Sequence, residues 1–166
     1  TFDSKISVGV GLRVEHTYAM PAATGVNNIE RQNYFSFFPQ ADLILPLGDS
    51  HQLIFNYARK IRRPSFWLLI PLRRPISETE VAVGNPKLKP SFSHEFSLNW
   101  VIRQKYTVTA GAYLMNDVWV STPRVDPDDP MSLIRTPENQ NSSSMWYVSA
   151  AVPVQVTPWW SFNANL

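Results

Sequence analysis

Between Phe92 and Ile102 the chain alternates with period two. Phe92, His94, Phe96, Leu98, Trp100 and Ile102 hold one phase, and Ser93, Glu95, Ser97, Asn99, Val101 and Arg103 hold the other. Successive side chains of a strand point to opposite faces, so this stretch predicts a β-strand with one largely apolar face and one polar face. It runs about eleven residues, roughly double the usual soluble strand and close to the 9–11 that a tilted strand needs to cross a bilayer. The pattern recurs along the chain. Ile6, Val8, Val10, Leu12, Val14, His16 and Tyr18 share a phase opposed by Ser7, Gly9, Gly11, Arg13, Glu15 and Thr17, predicting a strand from about Ile6 to Tyr18. Further strands are predicted over Tyr34 to Leu47, with a bulge near Pro39, then Gln52 to Ile61, Tyr106 to Val120, Met145 to Val156, and from Trp160 onward.

The connections between these strands alternate long and short. Ala19 to Arg31, Arg62 to Ser91 and Pro123 to Ser144 are long and rich in Pro, Asn, Asp, Ser or Gly. Gly48-Asp49-Ser50, Arg103-Gln104-Lys105 and the turn at Pro158 are short. Long loops at one end and tight turns at the other are the asymmetry of an outer-membrane barrel. The fold class expected is therefore all-β: an antiparallel meander of about seven long strands, part of a transmembrane β-barrel. Trp100, Tyr106, Trp159 and Trp160 beside the short turns, with Tyr18, Tyr34, Trp119, Trp146 and Tyr147 beside the long loops, are expected to form two girdles at the headgroup levels. Leu43, Leu98, Val108 and Ala150 should share the exterior, and Arg13, Glu95, Asn99 and Thr109 the lumen side. Arg62 to Ser91 should hold little regular structure beyond a turn or short helix around Ser65 to Leu69, and the apolar run Phe66 to Ile70 should pack into the barrel mouth or against a partner.

Two segments carry a resemblance. Gly84-Asn85-Pro86-Lys87-Leu88-Lys89-Pro90, followed by an aromatic and Glu95 in a strand, resembles the Gly-Asn-Pro-x-Leu-x-Pro-Glu segment of TonB-dependent outer-membrane receptors. Asn56-Tyr57-Ala58-Arg59-Lys60-Ile61-Arg62-Arg63-Pro64-Ser65 is similar to the Ser-Tyr-Ser-Arg-Arg-x-x-Arg-Pro-Ser segment of the same family, in the same order and spacing. The sequence departs at Ser91, where the family often has Glu. The resemblance implies a bacterial outer-membrane location and energised uptake of a substrate. It also implies a plug domain in the lumen, and TonB in the inner membrane as the energy source. Residues 1–166 would then be a partial barrel domain, with the plug and remaining strands absent and both ends looking cut. Its partners would be outer-membrane lipid, TonB and plug in the full-length protein, and a transported ligand the sequence does not name. Open strand edges would let the isolated segment associate with itself.

Composition is compatible with this reading. Hydrophobic residues make up 44% of the 166, and no run is long enough for a transmembrane helix, but barrel strands look mild on any hydropathy average. There is no cysteine, hence no disulfide framework. A net charge of +2 gives no argument for nucleic acid.

The residues that could carry chemistry are few. Arg59, Lys60, Arg62, Arg63, Arg73 and Arg74 form a basic run with no acid between Ser50 and Ser77. It suits an anionic substrate or the phosphates of lipopolysaccharide. The plainer alternative is that Arg59 and Arg63 line the lumen and pair with carboxylates. His16, His51 and His94 have no metal-ligand spacing. Asp126, Asp128 and Asp129 lie in a Pro-flanked acidic loop that does not fit an EF-hand and reads as a solvated loop. Asn141-Ser142-Ser143 fits a weak glycosylation sequon. No catalytic set and no cofactor motif is present. Two other classes remain open on sequence alone: a passive porin or structural barrel, and a soluble β-sandwich binding carbohydrate through exposed aromatics.

Overall fold

The computed structural model describes residues 5–19 and 31–166, so the predicted loop from Ala19 to Arg31 falls almost wholly outside the described residues. The elements in chain order are β1 (Ser7–Ala19), β2 (Gln32–Leu47), β3 (His51–Arg62), α1 (Phe66–Leu69), β4 (Arg73–Ser77), β5 (Glu80–Val83), β6 (Ser91–Ile102), β7 (Tyr106–Val125), β8 (Leu133–Thr157) and β9 (Trp160–Asn165). The strands make one sheet in the order β1-β2-β3-β6-β7-β8, and β9 continues the meander on β8. Every pair in this wall is antiparallel. Among the described residues the wall is not closed: β1 pairs only β2, and β9 only β8.

The expected hairpins form at each short turn. Gly48 takes φ 72, and Arg103 and Gln104 both take positive φ, 51 and 54, the pairing of a type I′ turn without its usual Asn-Gly. The Arg103 amide donates to Ser50 O at 2.5 Å, tying the two neighbouring turns together.

The register sorts the side chains. Leu43 pairs Phe55, Phe55 pairs Leu98, Leu98 pairs Ala110, and Ala110 pairs Val148. Directly paired residues share a face. Leu43, Leu98, Val108 and Ala150 are therefore on one face, and Arg13, Glu95, Asn99 and Thr109 on the other. The apolar face is bare: Val8, Val10, Leu12, Trp146 and Val148 are each exposed by 65% or more. In water this would be untenable, and in hydrocarbon it is the required surface.

Three sequence expectations fail locally. No bulge occurs at Pro39: β1 and β2 pair without a shift from Ser7↔Ile44 to Ala19↔Gln32. The ladder from β2 to β3 starts only at Gln40↔Ala58, so Pro39 lies just past its end, a position suited to a residue with no N–H. The loop expected over Pro123 to Ser144 is mostly strand, since β7 and β8 stay paired out to Val125↔Leu133 and only 126–132 turns the chain. Beyond the bilayer both faces meet water, so these strands carry no alternation to read. Finally, Arg62 to Ser91 holds more than a short helix. β4 and β5 form a hairpin, and β5 runs parallel to β8 over Glu80↔Leu133 to Ala82↔Arg135, the one parallel pair among the described residues.

Candidate functional site: the inner wall and the mouth

The inner face of the wall is a polar surface whose groups pair across strands. Lys60 Nζ bonds Glu95 Oε2 at 2.6 Å, and Ser93 Oγ donates to the other Glu95 oxygen at 3.3 Å. Asn56 Nδ2 donates to Ser97 Oγ at 3.2 Å, and Thr109 Oγ1 donates to Asn99 Oδ1 at 2.8 Å. Gln40, Asp42, Lys60, Glu95, Tyr113 and Tyr147 line a shallow concavity of about 220 Å³ on this face. Tyr147 pairs Gly111 directly, and a Cβ on Gly111 would stand 2.4 Å from the Tyr147 ring. Glycine is needed there so that the ring can lie flat on the strand, beside Tyr113 at a centroid distance of 5.6 Å. This surface can present hydrogen bonds of both senses and charges of both signs to whatever fills the lumen.

At the upper end the Gly84–Pro90 motif acts as a strap. The Gly84 amide donates to Ile70 O at 3.1 Å, and the Asn85 amide to Leu68 O at 2.7 Å. A Cβ on Gly84 would meet Ile70 O at 2.3 Å, which leaves room for glycine alone. Asn85 Nδ2 donates to Pro137 O at 3.0 Å, while its Oδ1 accepts the Lys87 amide at 3.0 Å. Asn139 Oδ1 accepts the Lys89 amide at 2.9 Å. Lys89 O then takes both Trp119 Nε1, at 2.7 Å, and Asn139 Nδ2, at 3.1 Å. The motif thus clamps α1 and β5 onto the projecting arm of β7 and β8. Leu69, Ile70 and Leu88 are buried beneath it, whereas Phe66 and Trp67 remain about half exposed. The expected tucking of the apolar run holds for its second half only.

The basic run does not converge on one site. Arg59 pairs His94 and so lies on the outer face, which corrects its expected place in the lumen. Its guanidinium stacks over Phe92 at 4.6 Å and donates to Phe37 O at 3.0 Å. Arg62 covers Trp119 at 5.0 Å. Arg63, just past β3, bonds Glu15 at 2.5 Å and Thr17 at 3.2 Å on the inner side of β1; the Glu15 bond holds its pKa above the ordinary arginine value. Arg73 binds Asp126 and, at 2.7 Å, Asp128, and Arg74 covers Trp67 at 5.4 Å.

The acidic loop is consumed by structure. Asp126, 1% exposed, takes Arg73 with one oxygen and the Asp128 amide with the other. Asp129 accepts Ser132 Oγ at 2.6 Å and the Met131 amide at 3.1 Å; these bonds hold its pKa below the usual aspartate value. Among the described residues no cluster suits a metal. His16 stacks on Phe35 and bonds Asn33 Oδ1 at 2.7 Å, and His94 Nδ1 meets the Tyr57 hydroxyl at 2.9 Å.

Among the aromatics, the register puts Tyr18, Trp100, Tyr106 and Trp146 on the outer face. Trp159, in the turn before β9, and Trp160 are exposed. Trp119 and Tyr147 belong to the inner side instead, as does Tyr34 opposite Thr17. A two-faced wall, a polar lumen side, tight turns at one end and a strapped mouth at the other agree with the match found for the sequence, which covers residues 1–166. The chain belongs to the outer membrane protein β-barrel family. That membership puts it in the bacterial outer membrane. No curated protein matches the sequence.

Solved structures of similar fold include three receptors. The siderophore receptor PirA of Pseudomonas aeruginosa superposes with a TM-score of 0.68 at 16% identity, over 79% of this chain and 27% of that one. A mutant of the ferric enterobactin receptor PfeA of the same organism, in complex with enterobactin, gives 0.62 at 14% identity, over 95% and 24%. A double mutant of the Serratia marcescens hemophore receptor HasR, in complex with its hemophore HasA and heme, gives 0.62 at 10% identity, over 89% and 27%. The chain spans about a quarter of the length of these structures.

The strap partners Pro137 and Asn139 gave no sequence signal, because both sit in a segment that reads as loop. The outward place of Arg59 was legible: it follows Leu53, Phe55 and Tyr57 in the same phase.

Proposed function

We propose that residues 1–166 form a sector of the barrel wall of a TonB-dependent receptor. The rest of the protein would supply the remaining strands and a plug, and the whole would take up its ligand by energised transport. The observation that carries the reading is the strap. Gly84 to Pro90 is the segment that resembles these receptors, and here it fixes the mouth of a wall whose inner face is polar and densely paired. A mouth held in one shape, above a lumen lined with paired donors and acceptors, suits capture of a specific ligand and the seating of a plug more than free diffusion. The ligands of PirA, PfeA and HasR make ferric siderophores and haem the first to try.

The test is uptake by cells that express the full-length receptor and are otherwise stripped of iron receptors. Labelled ferric siderophores and haem are offered with and without TonB, and with a protonophore. Expected is surface binding that survives both treatments and entry that falls to the level of cells lacking the protein. Entry that continues without TonB, rising linearly with outside concentration, would make the barrel a passive pore and end this reading.

A further inference from the structure

The outer face changes character along one row. Tyr57, Phe96, Ala112 and Trp146 pair in sequence across β3, β6, β7 and β8. The next outward row toward the long loops is Arg59, His94, Leu114 and Ser144, and above it come Ile61, Phe92, Asn116 and Ser142, so the row that holds Arg59 is where polar groups first enter this face. From His51 at the turn to Arg59 is about 27 Å of strand at ~3.4 Å per residue, which a tilt of ~40° reduces to about 20 Å along the membrane normal. Against an apolar band about 25 Å tall, Arg59 therefore faces lipid a few Å below the outer-leaflet headgroups, within reach of a long side chain that extends toward them. An arginine on the lipid side of a barrel is costly near the midplane and tolerated at an interface that offers it an anion. Its guanidinium is held over Phe92 and donates through Nη1 to Phe37 O, and its buried Nε finds no hydrogen-bond partner. His94 lies beside it in the ladder. A Tyr57 hydroxyl donated to His94 Nδ1 leaves Nε2 as a second donor on this face.

Directly below this pair the outer face is grooved. Phe55 and Phe96 make one wall, Trp146 and Val148 the other, and Ala110 and Ala112 the floor, enclosing about 360 Å³ of almost wholly apolar lining. Ala112 is 6% exposed although it points outward, so the depression is real relief in the sheet. An apolar trough beneath fixed cationic donors is complementary to an anionic amphiphile, tail down and phosphate up. At the loop end of a barrel in the bacterial outer membrane, the amphiphile of that description is the phosphorylated glycolipid of the outer leaflet.

We propose that the outer face of β3, β6, β7 and β8 holds one lipopolysaccharide molecule, with an acyl chain in the groove over Ala110 and Ala112 and a lipid A phosphate on Arg59. The site depends on the barrel and its membrane, not on what the barrel transports. The experiment uses the full-length receptor, extracted in mild detergent and stripped of lipid. It is titrated with a short-core lipopolysaccharide and read by native mass spectrometry. Wild type should retain one molecule. Arg59→Gln should bind about tenfold more weakly, the scale of a lost charge-assisted bond, and Arg59→Lys should recover part of that. Ala112→Leu fills the groove without touching the charge and should weaken binding similarly. Dephosphorylated lipid A should bind wild type as poorly as the intact lipid binds Arg59→Gln. Gel mobility without heating confirms that each variant is a folded barrel. Equal retention by wild type, Arg59→Gln and Ala112→Leu would overturn the proposal. So would phosphatidylethanolamine binding as tightly as lipopolysaccharide.

Discussion

The wall and the strapped mouth are made of the same chain under opposite rules. In the wall, apolar side chains point away from the protein: Val10 is 82% exposed and Val148 74%. In the mouth they point inward, and Ile70 and Leu88 are each only 2% exposed. The wall has no second layer to pack against, so its apolar surface is stabilised by lipid and its backbone by the ladders of neighbouring strands. The mouth stands in water and builds a small core of its own, closed by side chain–backbone bonds from Asn85, Trp119 and Asn139. Substitutions in the two regions should therefore fail in different solvents and on different scales.

The largest effect should follow from placing a charge on the lipid face. Leu98→Arg in the intact barrel should destabilise it by about 2–4 kcal/mol, the cost of a charge on the lipid face near the midplane. Arg at Asn99, the next residue, should cost little because it faces the lumen. Denaturant unfolding in liposomes measures both. Equal losses at the two positions would erase the distinction between the faces.

A smaller, local effect should follow at the mouth. Asn85→Ala removes the bonds to Pro137 O and from the Lys87 amide, about 1–2 kcal/mol at the net value of two hydrogen bonds. Hydrogen exchange at Leu88 and Lys89 should speed up roughly tenfold while exchange in β6 and β7 stays unchanged. A global loss of wall protection would mean that the strap supports the barrel and is not a separate unit.

That contrast also explains what could be read in the sequence. The wall was legible because a strand between lipid and water must alternate, so Phe92 to Ile102 announced both its conformation and its faces. The hairpins were legible from the brevity of their turns, although Arg103 and Gln104 in left-handed backbone show how far the ladder can override turn chemistry. The arm beyond the bilayer reads as loop, because Pro137, Asn139 and Ser142 pair through their backbones with water on both sides. The strap was recognised by resemblance, but its mechanics depend on residues some fifty positions away, as Lys89 and Asn139 show, and no local pattern encodes such a contact. The basic run looks like one feature only because its members adjoin in sequence. Alternation and the turn into α1 send them to different faces.

The smallest effect expected is a pH response in the arm's tip. Asp129 is held below the usual aspartate range by Ser132 and the Met131 amide. A depressed carboxyl stabilises the fold above its unfolded pKa, and the contribution is lost as pH falls through the lowered folded value. The order of residues 126–132 should thus be constant at neutral pH and decline only in strong acid, below the ordinary value of 3.8. Protection of the Met131 amide, corrected for intrinsic exchange, should fall over that window, and Ser132→Ala should move the fall to higher pH. A loss beginning near neutrality would assign it to another group.

The claim on which the rest stands is that Leu98 faces lipid and Asn99 faces the lumen. Nitroxide labels at each position, in the intact barrel in liposomes, report this through collisions with oxygen and with a water-soluble nickel chelate. The account predicts high oxygen and low nickel accessibility at Leu98, with the order reversed at Asn99. Nickel access at Leu98 equal to or above that at Asn99 would contradict it.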